Sequence, residues 1–350
     1  MESESTAPAG QDQSEVFRGV ATAAAARTTE RGISTRSTPA FVAGEELADL
    51  ADGDERIVVL TADLASANRL NDFAARWPQR FFNVGIAEKN MISVAAGLAS
   101  TGLIPFVGTF ASFASLLGYE QIRTDCAYPG MAVRVLAHHS GMSLGYYGTS
   151  HHALEDLAAM RAVADLTVAC AADANQLRAM LRASVDLVGP LYLRLGRGRD
   201  PEVYGDVPRE FRFGVATWLR RGVDATVIAT GAEVHPALRA AEMLAARGID
   251  VGVLDMHTVK PLDLDAVRVA SAVGPIVTLE EHSVIGGLGG AVAEALCDGG
   301  GAVRLLRHGV CDRYVEIGPP AALYAHYRLD ARGVAEVVEE FLNDRGGPSI

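Results

Sequence analysis

Lysine is nearly missing from this sequence. Lys89 and Lys260 are two of the 31 basic side chains in 350 residues, and the other 29 are arginines. A G-x-x-x-x-G-K-[ST] phosphate loop is thereby excluded, and few positions remain for a Schiff-base lysine. Cysteine is equally sparse. Cys126, Cys170, Cys297 and Cys311 lie far apart with no C-x-x-C pair, so neither a zinc site nor a disulfide framework is indicated. A reducing cytoplasm is the expected setting. The formal charge of -12 argues against nucleic acid or an anionic membrane as partner, because phosphate binding draws on clustered positive charge.

Between Lys89 and Glu120 no side chain is charged. Gly, Pro, Ser and Thr in STGLIPFVGTF interrupt that stretch, so it reads as helix, strand, helix and not as one membrane span. A helix that is apolar or small all round is buried on both sides. These helices are therefore expected to pack against another subunit.

With 49% hydrophobic and 21% charged residues, the chain can bury a large core and is expected to form two domains. Residues 1–32 are rich in Ala, Ser, Thr, Gln and Glu without hydrophobic periodicity, which reads as a disordered tail without a secretory signal. From Thr35 onward RIVVLTAD, GLIPFVGTF, AVRVLAHHS, DLTVACAAD and PLYLRLGR alternate with helical patterns, the rhythm of a mostly parallel α/β sheet. The polar 199–213 reads as a linker. After it DATVIAT, IDVGVLD, PIVTLEE and AVRLLRH predict a second, smaller α/β domain. The expected division is 33–198 and 214–350.

Glu88 stands at the front of the uncharged stretch, in FFNVGIAEKNM. In the first turn of a helix it can complement the helix dipole, a contribution of ~0.3–1 kcal/mol. At a buried interface it needs a hydrogen-bond donor instead. Phe110 and Phe113 share a helix face, where they either fill a core or hold a flat heterocycle. Composition leaves both pairs of readings open. GGLGG at 286–290 fails the dinucleotide spacing and reads as a tight turn packed on the following helix. EEH at 280–282 has no matching ligand cluster, so no metal is assigned to this chain.

The segment NVGIAEKNMISVAAGLASTGLIPFVGTFASF resembles the pyrimidine-binding domain of transketolases, whose G-[IV]-x-E motif supplies a glutamate to thiamine diphosphate. The likeness continues through HHSGMSLGYYGTSHHALEDLAAMR, GPLYLRLGRG, DMHTVKPLD and EEHSVIGGLGGAVAEAL. The family's diphosphate-binding domain, with its G-D-G motif and downstream Asn, has no counterpart in this sequence. The resemblance is therefore to the C-terminal subunit of a split transketolase. It implies a pyrimidine domain with a mostly parallel sheet, followed by a transketolase C-terminal-like α/β domain.

The resemblance further implies a ketol transferase using thiamine diphosphate, with Mg2+ or Ca2+ held by a partner N-terminal subunit in an α2β2 assembly. Glu88 then contacts the aminopyrimidine, and a buried site raises its pKa enough to share a proton. Phe110 and Phe113 pack on that ring. His139 falls near the acceptor and His151 where a substrate oxygen is stabilised. Taken singly, each histidine is as well explained as a loop residue. Arg36 and Arg197 match positions that bind a sugar phosphate.

Two departures touch substrate recognition. Tyr147 replaces the Asp of the usual GEDG, and Ala67 stands where a Ser commonly joins the phosphate site. Both point to an unusual donor or acceptor sugar. The rival readings are a deoxyxylulose-phosphate-synthase-like condensation of pyruvate, a 2-oxo-acid dehydrogenase β-subunit, and a non-catalytic regulatory subunit.

Overall fold

The computed structural model describes residues 39–197, 201–300 and 303–344. The tail read at 1–32 and the candidate Arg36 lie outside them. The first half of the chain runs α1 (Pro39–Gly53), β1 (Ile57–Thr61), α2 (Asn71–Arg76), β2 (Phe81–Asn83), α3 (Glu88–Ala99) and β3 (Ile104–Phe110). It continues with β4 (Arg134–His138), α4 (Asp156–Ala162), β5 (Thr167–Cys170), α5 (Ala174–Val185) and β6 (Leu191–Arg194). The second half holds β7 (Thr217–Arg220), β8 (Ala225–Ala229), α6 (Val234–Ala245), β9 (Val251–Asp255), β10 (Thr258–Lys260) and α7 (Leu264–Val273). It closes with β11 (Ile276–Ser283), α8 (Leu288–Asp298), β12 (Leu305–Val310), α9 (Pro320–His326) and α10 (Ala331–Asn343).

Two mostly parallel sheets result. The first has the order β10-β5-β6-β4-β3-β1-β2 and the second β12-β11-β8-β9-β7. Their central strands β1, β3, β4, β6, β8 and β9 are buried along their whole length, as continuous apolar runs in a sheet covered on both faces must be. In the first sheet Val58, Leu60, Val107 and Val135 face α3 and α4, while Ile57, Val59, Phe106 and Leu136 face α1 and α5.

The expected helix, strand, helix of the uncharged stretch is present, with a difference. The second helix contains two π-helical turns, Phe113–Leu117 and Ile122–Ala127. Such widened turns recur at functional sites. Within this single chain α3 is not buried all round: Met91, Ile92, Ala95 and Ala96 face the core, whereas Asn90, Val94 and Gly97 are exposed.

The two halves are interlocked. β10, from the second half of the chain, joins the first sheet antiparallel to β5. The described part of the expected linker is pinned as well. Asp173 accepts the backbone N–H groups of Val203 and Tyr204 at 2.7 and 2.6 Å, and the Tyr204 hydroxyl donates to Asp255 at 2.6 Å. Gln176 also donates to Asp255, at 2.6 Å.

Arg194, at the end of β6, is 4% exposed and donates to the fully buried Asp156 of α4 at 2.8 Å. It donates in addition to the carbonyls of Ala153 and Glu281, at 3.0 and 2.9 Å. These bonds give the arginine a structural use. Removing one member of a buried pair strands the other charge, which costs about 3–5 kcal/mol. Arg194→Met should lower the unfolding free energy in urea by about that amount, and adding Asp156→Asn should recover part of it.

Candidate active site

The C-terminal edge of the first sheet assembles most of the candidate residues. Phe110 ends β3, and its ring centroid lies 5.4 Å from that of Phe113, which opens the π-helical segment. His139 follows β4 immediately, at φ 58°, and its ring centroid is 4.6 Å from Phe110. His151 ends a 3-10 turn over Gly145–Ser150 and lies 5.8 Å from Phe110 and 5.2 Å from Phe113. Tyr147, on that turn, is 59% exposed and stacks on His151 at 4.9 Å. Two phenylalanines, two histidines and a tyrosine therefore form one contiguous set of rings.

Glu88 begins α3 and is 7% exposed. Its helix packs on β3 and on the π-helical segment, the two elements that carry Phe110 and Phe113. Among the described residues none donates a hydrogen bond to its carboxylate. A carboxylate at a helix start that takes no hydrogen bond from the described residues leaves its oxygens available to a ligand that brings an N–H or O–H of its own. Beside it, the face of the Phe110 and Phe113 pair suits a flat ring. These groups fit an aminopyrimidine.

His139 is 7% exposed, and its Nδ1 has no hydrogen-bond partner among the described residues. Burial, then the guanidinium groups of Arg197 and Arg69 and the His151 ring, hold its pKa down at about 4. His151 is also lowered by burial, and its Nδ1 lies 2.8 Å from Ser150 Oγ. Neutral imidazoles can both donate and accept a hydrogen bond.

Two arginines flank this edge. Arg197, three residues beyond β6, is exposed and lines a cleft of about 810 Å³ between the domains, with Ser143, His235, Arg239 and Tyr324. Arg69 escaped the sequence reading. It follows β1 in a turn closed by Asn68 N–H to Leu64 O and Leu70 N–H to Ala65 O, and has φ 57°. A non-glycine residue in the left-handed region was the only available signal, and it is not visible in a sequence. Ala67 lies in the same turn, and the hydroxyl beside it, on Ser66, accepts a hydrogen bond from the Asn71 amide at 3.2 Å.

The glycine-rich turn behaves as expected. Glu280 accepts the N–H groups of Leu288 and Gly289 at 2.6 and 2.8 Å, so this chain's own carboxylate occupies the start of α8. A Cβ at Gly287 would lie 1.9 Å from the same carboxylate. Among the described residues no group of three His, Cys, Asp or Glu side chains could hold a metal, and no helix is long and apolar enough to cross a membrane.

Comparison with known proteins identifies the two domains. Residues 38–201 match the transketolase pyrimidine-binding domain, and residues 214–334 match the transketolase C-terminal domain. The chain belongs to the transketolase family. It is 42% identical over 296 residues to the 6-deoxy-6-sulfo-D-fructose transketolase subunit SqwH of Clostridium sp. (strain MSTE9), covering 84% of this chain and 91% of that one. It is 38% identical over 299 residues to one of the apulose-4-phosphate transketolase subunits of Phocaeicola vulgatus, covering 85% and 95%. Among solved structures, a split-gene transketolase described as an inactive beta4 tetramer superposes with TM-score 0.78 at 42% identity, covering 89% of this chain and 99% of that one. The family role is ketol transfer dependent on thiamine diphosphate.

The depressed histidine has a consequence for acid stability. The unfolded chain protonates His139 near its ordinary 6.5, and the folded chain only near 4. The stability contributed by the neutral ring is therefore complete above pH 6.5 and is lost as pH falls toward 4. His139→Gln should lose less stability than the wild type across that interval, measured as the urea midpoint against pH.

Proposed function

We propose that this chain is the pyrimidine-binding subunit of a two-subunit transketolase that moves a two-carbon ketol unit between sugars bearing an anionic end. The observation that carries the reading is the ring set Phe110, Phe113, His139 and His151, with centroids 4.6 to 5.8 Å apart, at the sheet edge. The buried acceptor Glu88 begins the helix behind it.

Thiamine diphosphate, when bound, supplies the nucleophilic carbon and the electron sink for the two-carbon fragment. Glu88 accepts a hydrogen bond from the pyrimidine and shares its proton, which favours the basic form of the amino group. Phe110 and Phe113 fix the plane of that ring. His151 donates to the developing oxygen of the substrate, and His139, held neutral, hydrogen-bonds a hydroxyl of the acceptor without adding a charge. Tyr147 closes the same wall with a ring that fills more volume than the aspartate of most relatives.

Arg197 and Arg69 bracket His139 and suit a phosphate or sulfonate. Arg36 is assigned to the same end by its motif alone. The names of the two curated relatives, one acting on a phosphorylated sugar and one on a sulfonated sugar, support an anionic substrate. The exposed apolar side chains Ile86, Leu116, Leu117 and Tyr128, at 46% to 92% exposure, lie within or near the uncharged stretch. They support a surface that packs on another subunit, which in this reading carries the diphosphate-binding domain and its metal in a cytoplasmic α2β2 assembly.

The test is turnover by the reconstituted pair. Hydroxypyruvate should serve as donor and pyruvate should not; the reverse would indicate a deoxyxylulose-phosphate-synthase-like enzyme. Glu88→Gln should assemble normally and lose about 10²–10⁴-fold in kcat. Arg69→Gln and Arg197→Gln should each raise KM about tenfold or more for a phosphorylated or sulfonated ketose, with hydroxypyruvate little affected.

A further inference from the structure

Glu281, in β11 of the second domain, is a buried carboxylate that the proposed chemistry does not use. It is 2% exposed and reaches across the domain boundary. Its Oε1 accepts the backbone N–H of Met142 at 2.8 Å, 139 residues away in sequence. Tyr324 of α9 donates its hydroxyl to the same oxygen, and Arg194 approaches Oε2 at 4.0 Å. The carboxylate is thus fixed by the second domain and applied to the first.

What it touches is the loop that carries His139. Gly141 in that loop has φ 58°, and a Cβ there would lie 1.9 Å from the carboxyl carbon of Glu281. The acid occupies the room that any side chain at 141 would need. Gly141 in turn forms an antiparallel bridge to Ala153, with N–H···O distances of 3.1 and 2.9 Å. Ala153 lies two residues after His151. His139 itself is a non-glycine residue at positive φ, a conformation that persists only where the surroundings over-determine it.

We propose that Glu281 is a positioning residue for both histidines, holding the His139 loop directly and the His151 loop through the Gly141–Ala153 bridge. The role of the histidines rests on the ketol-transfer reading; the holding of the loop does not. The C-terminal domain thereby gains a part in the reaction without touching substrate. The two domains are joined elsewhere by β10 and by the Asp173, Gln176, Tyr204 and Asp255 bonds, so losing Glu281 should loosen the loop and leave the domains together.

The test pairs two variants with two readouts. Glu281→Ala removes the acceptor, and Glu281→Gln keeps an oxygen for the Met142 N–H. In the full chain, hydrogen exchange at residues 139–142 should quicken about tenfold or more in Glu281→Ala and stay near wild type in Glu281→Gln, with β4 and β11 unchanged. In the reconstituted enzyme Glu281→Ala should lose roughly 10- to 100-fold in kcat, with thiamine diphosphate affinity within about twofold and Glu281→Gln largely restored. Unaltered exchange in Glu281→Ala overturns the assignment. So does unaltered kcat, or a Glu281→Gln variant as impaired as Glu281→Ala. Where the wild-type pair shows no ketol transfer, the proposed function fails and exchange alone decides whether Glu281 holds the loop. Should Glu281→Ala not fold, Gly141→Ala places a methyl against the carboxylate and should show the same kcat loss at retained cofactor affinity; wild-type turnover there also overturns the proposal.

Discussion

The buried Arg194–Asp156 pair fixes the geometry of this molecule. An arginine 4% exposed and an aspartate fully buried are tolerable only while each satisfies the other. The guanidinium has further donors, and it directs them at the carbonyls of Ala153 and Glu281. One planar group therefore ties β6 to α4, to the segment just after His151, and to the strand of the second domain that holds Glu281. The rigid fork of arginine suits this joint, where a lysine would offer a point charge on a flexible stem. In a chain with two lysines, the choice of arginine at a buried junction follows from its geometry.

From that joint the site follows by topology. In an open parallel sheet, ligands gather where the strands end at their carboxyl edge. The strand order β6-β4-β3-β1 sets side by side the ends that lead to Arg197, His139, Phe110 and Arg69. Residues 29 to 128 positions apart in sequence thus line one edge in strand order. The turn over Ala65–Leu70 is held there by close approach. A Cβ at Gly44 of α1 would lie 2.2 Å from the Arg69 carbonyl, and one at Gly108 of β3 would lie 2.6 Å from the Leu70 side chain. Both glycines let neighbouring elements close on the turn that carries the extra arginine.

The parts of the fold that were legible were those governed by local pattern. Long apolar runs announced β1, β3, β4, β5, β6, β8, β9, β11 and β12, because a doubly covered strand has no polar face to confuse the reading. β2, β7 and β10 were missed. They have three or four residues each and lie at sheet edges. β10 in addition pairs across the domain boundary, which no local signal encodes. In the site, the expectation that Phe110 and Phe113 share a helix face fails, because Phe110 ends β3 and only Phe113 lies in a helical turn; the rings meet across the strand-to-helix junction, and the histidines were legible only from a family likeness. Arg69 and Glu281 could not be found by either route. One is an isolated arginine in a loop and the other the middle of a three-residue acidic and histidine cluster, and each acquires meaning only from what the fold sets beside it.

The uncharged stretch joins these strands of argument. Its inner side chains, Met91, Ile92, Ala95 and Ala114, pack into the core of the first domain. Its outer side leaves Val94, Leu116 and Leu117 facing outward, and the glycine at 97 has no neighbour within 4 Å of where a Cβ would stand. A surface helix with water on that side would carry charge there. Small residues instead permit close approach of another surface, and the π-helical turns beyond β3 shift the side chains of the segment from ordinary helical spacing. Glu88 stands at the start of the same helix with its carboxylate without a donor. The apolar outer face and this acid belong to one helix, and both accord with the proposed reading in which a partner subunit packs on that helix and the ligand between them donates to Glu88.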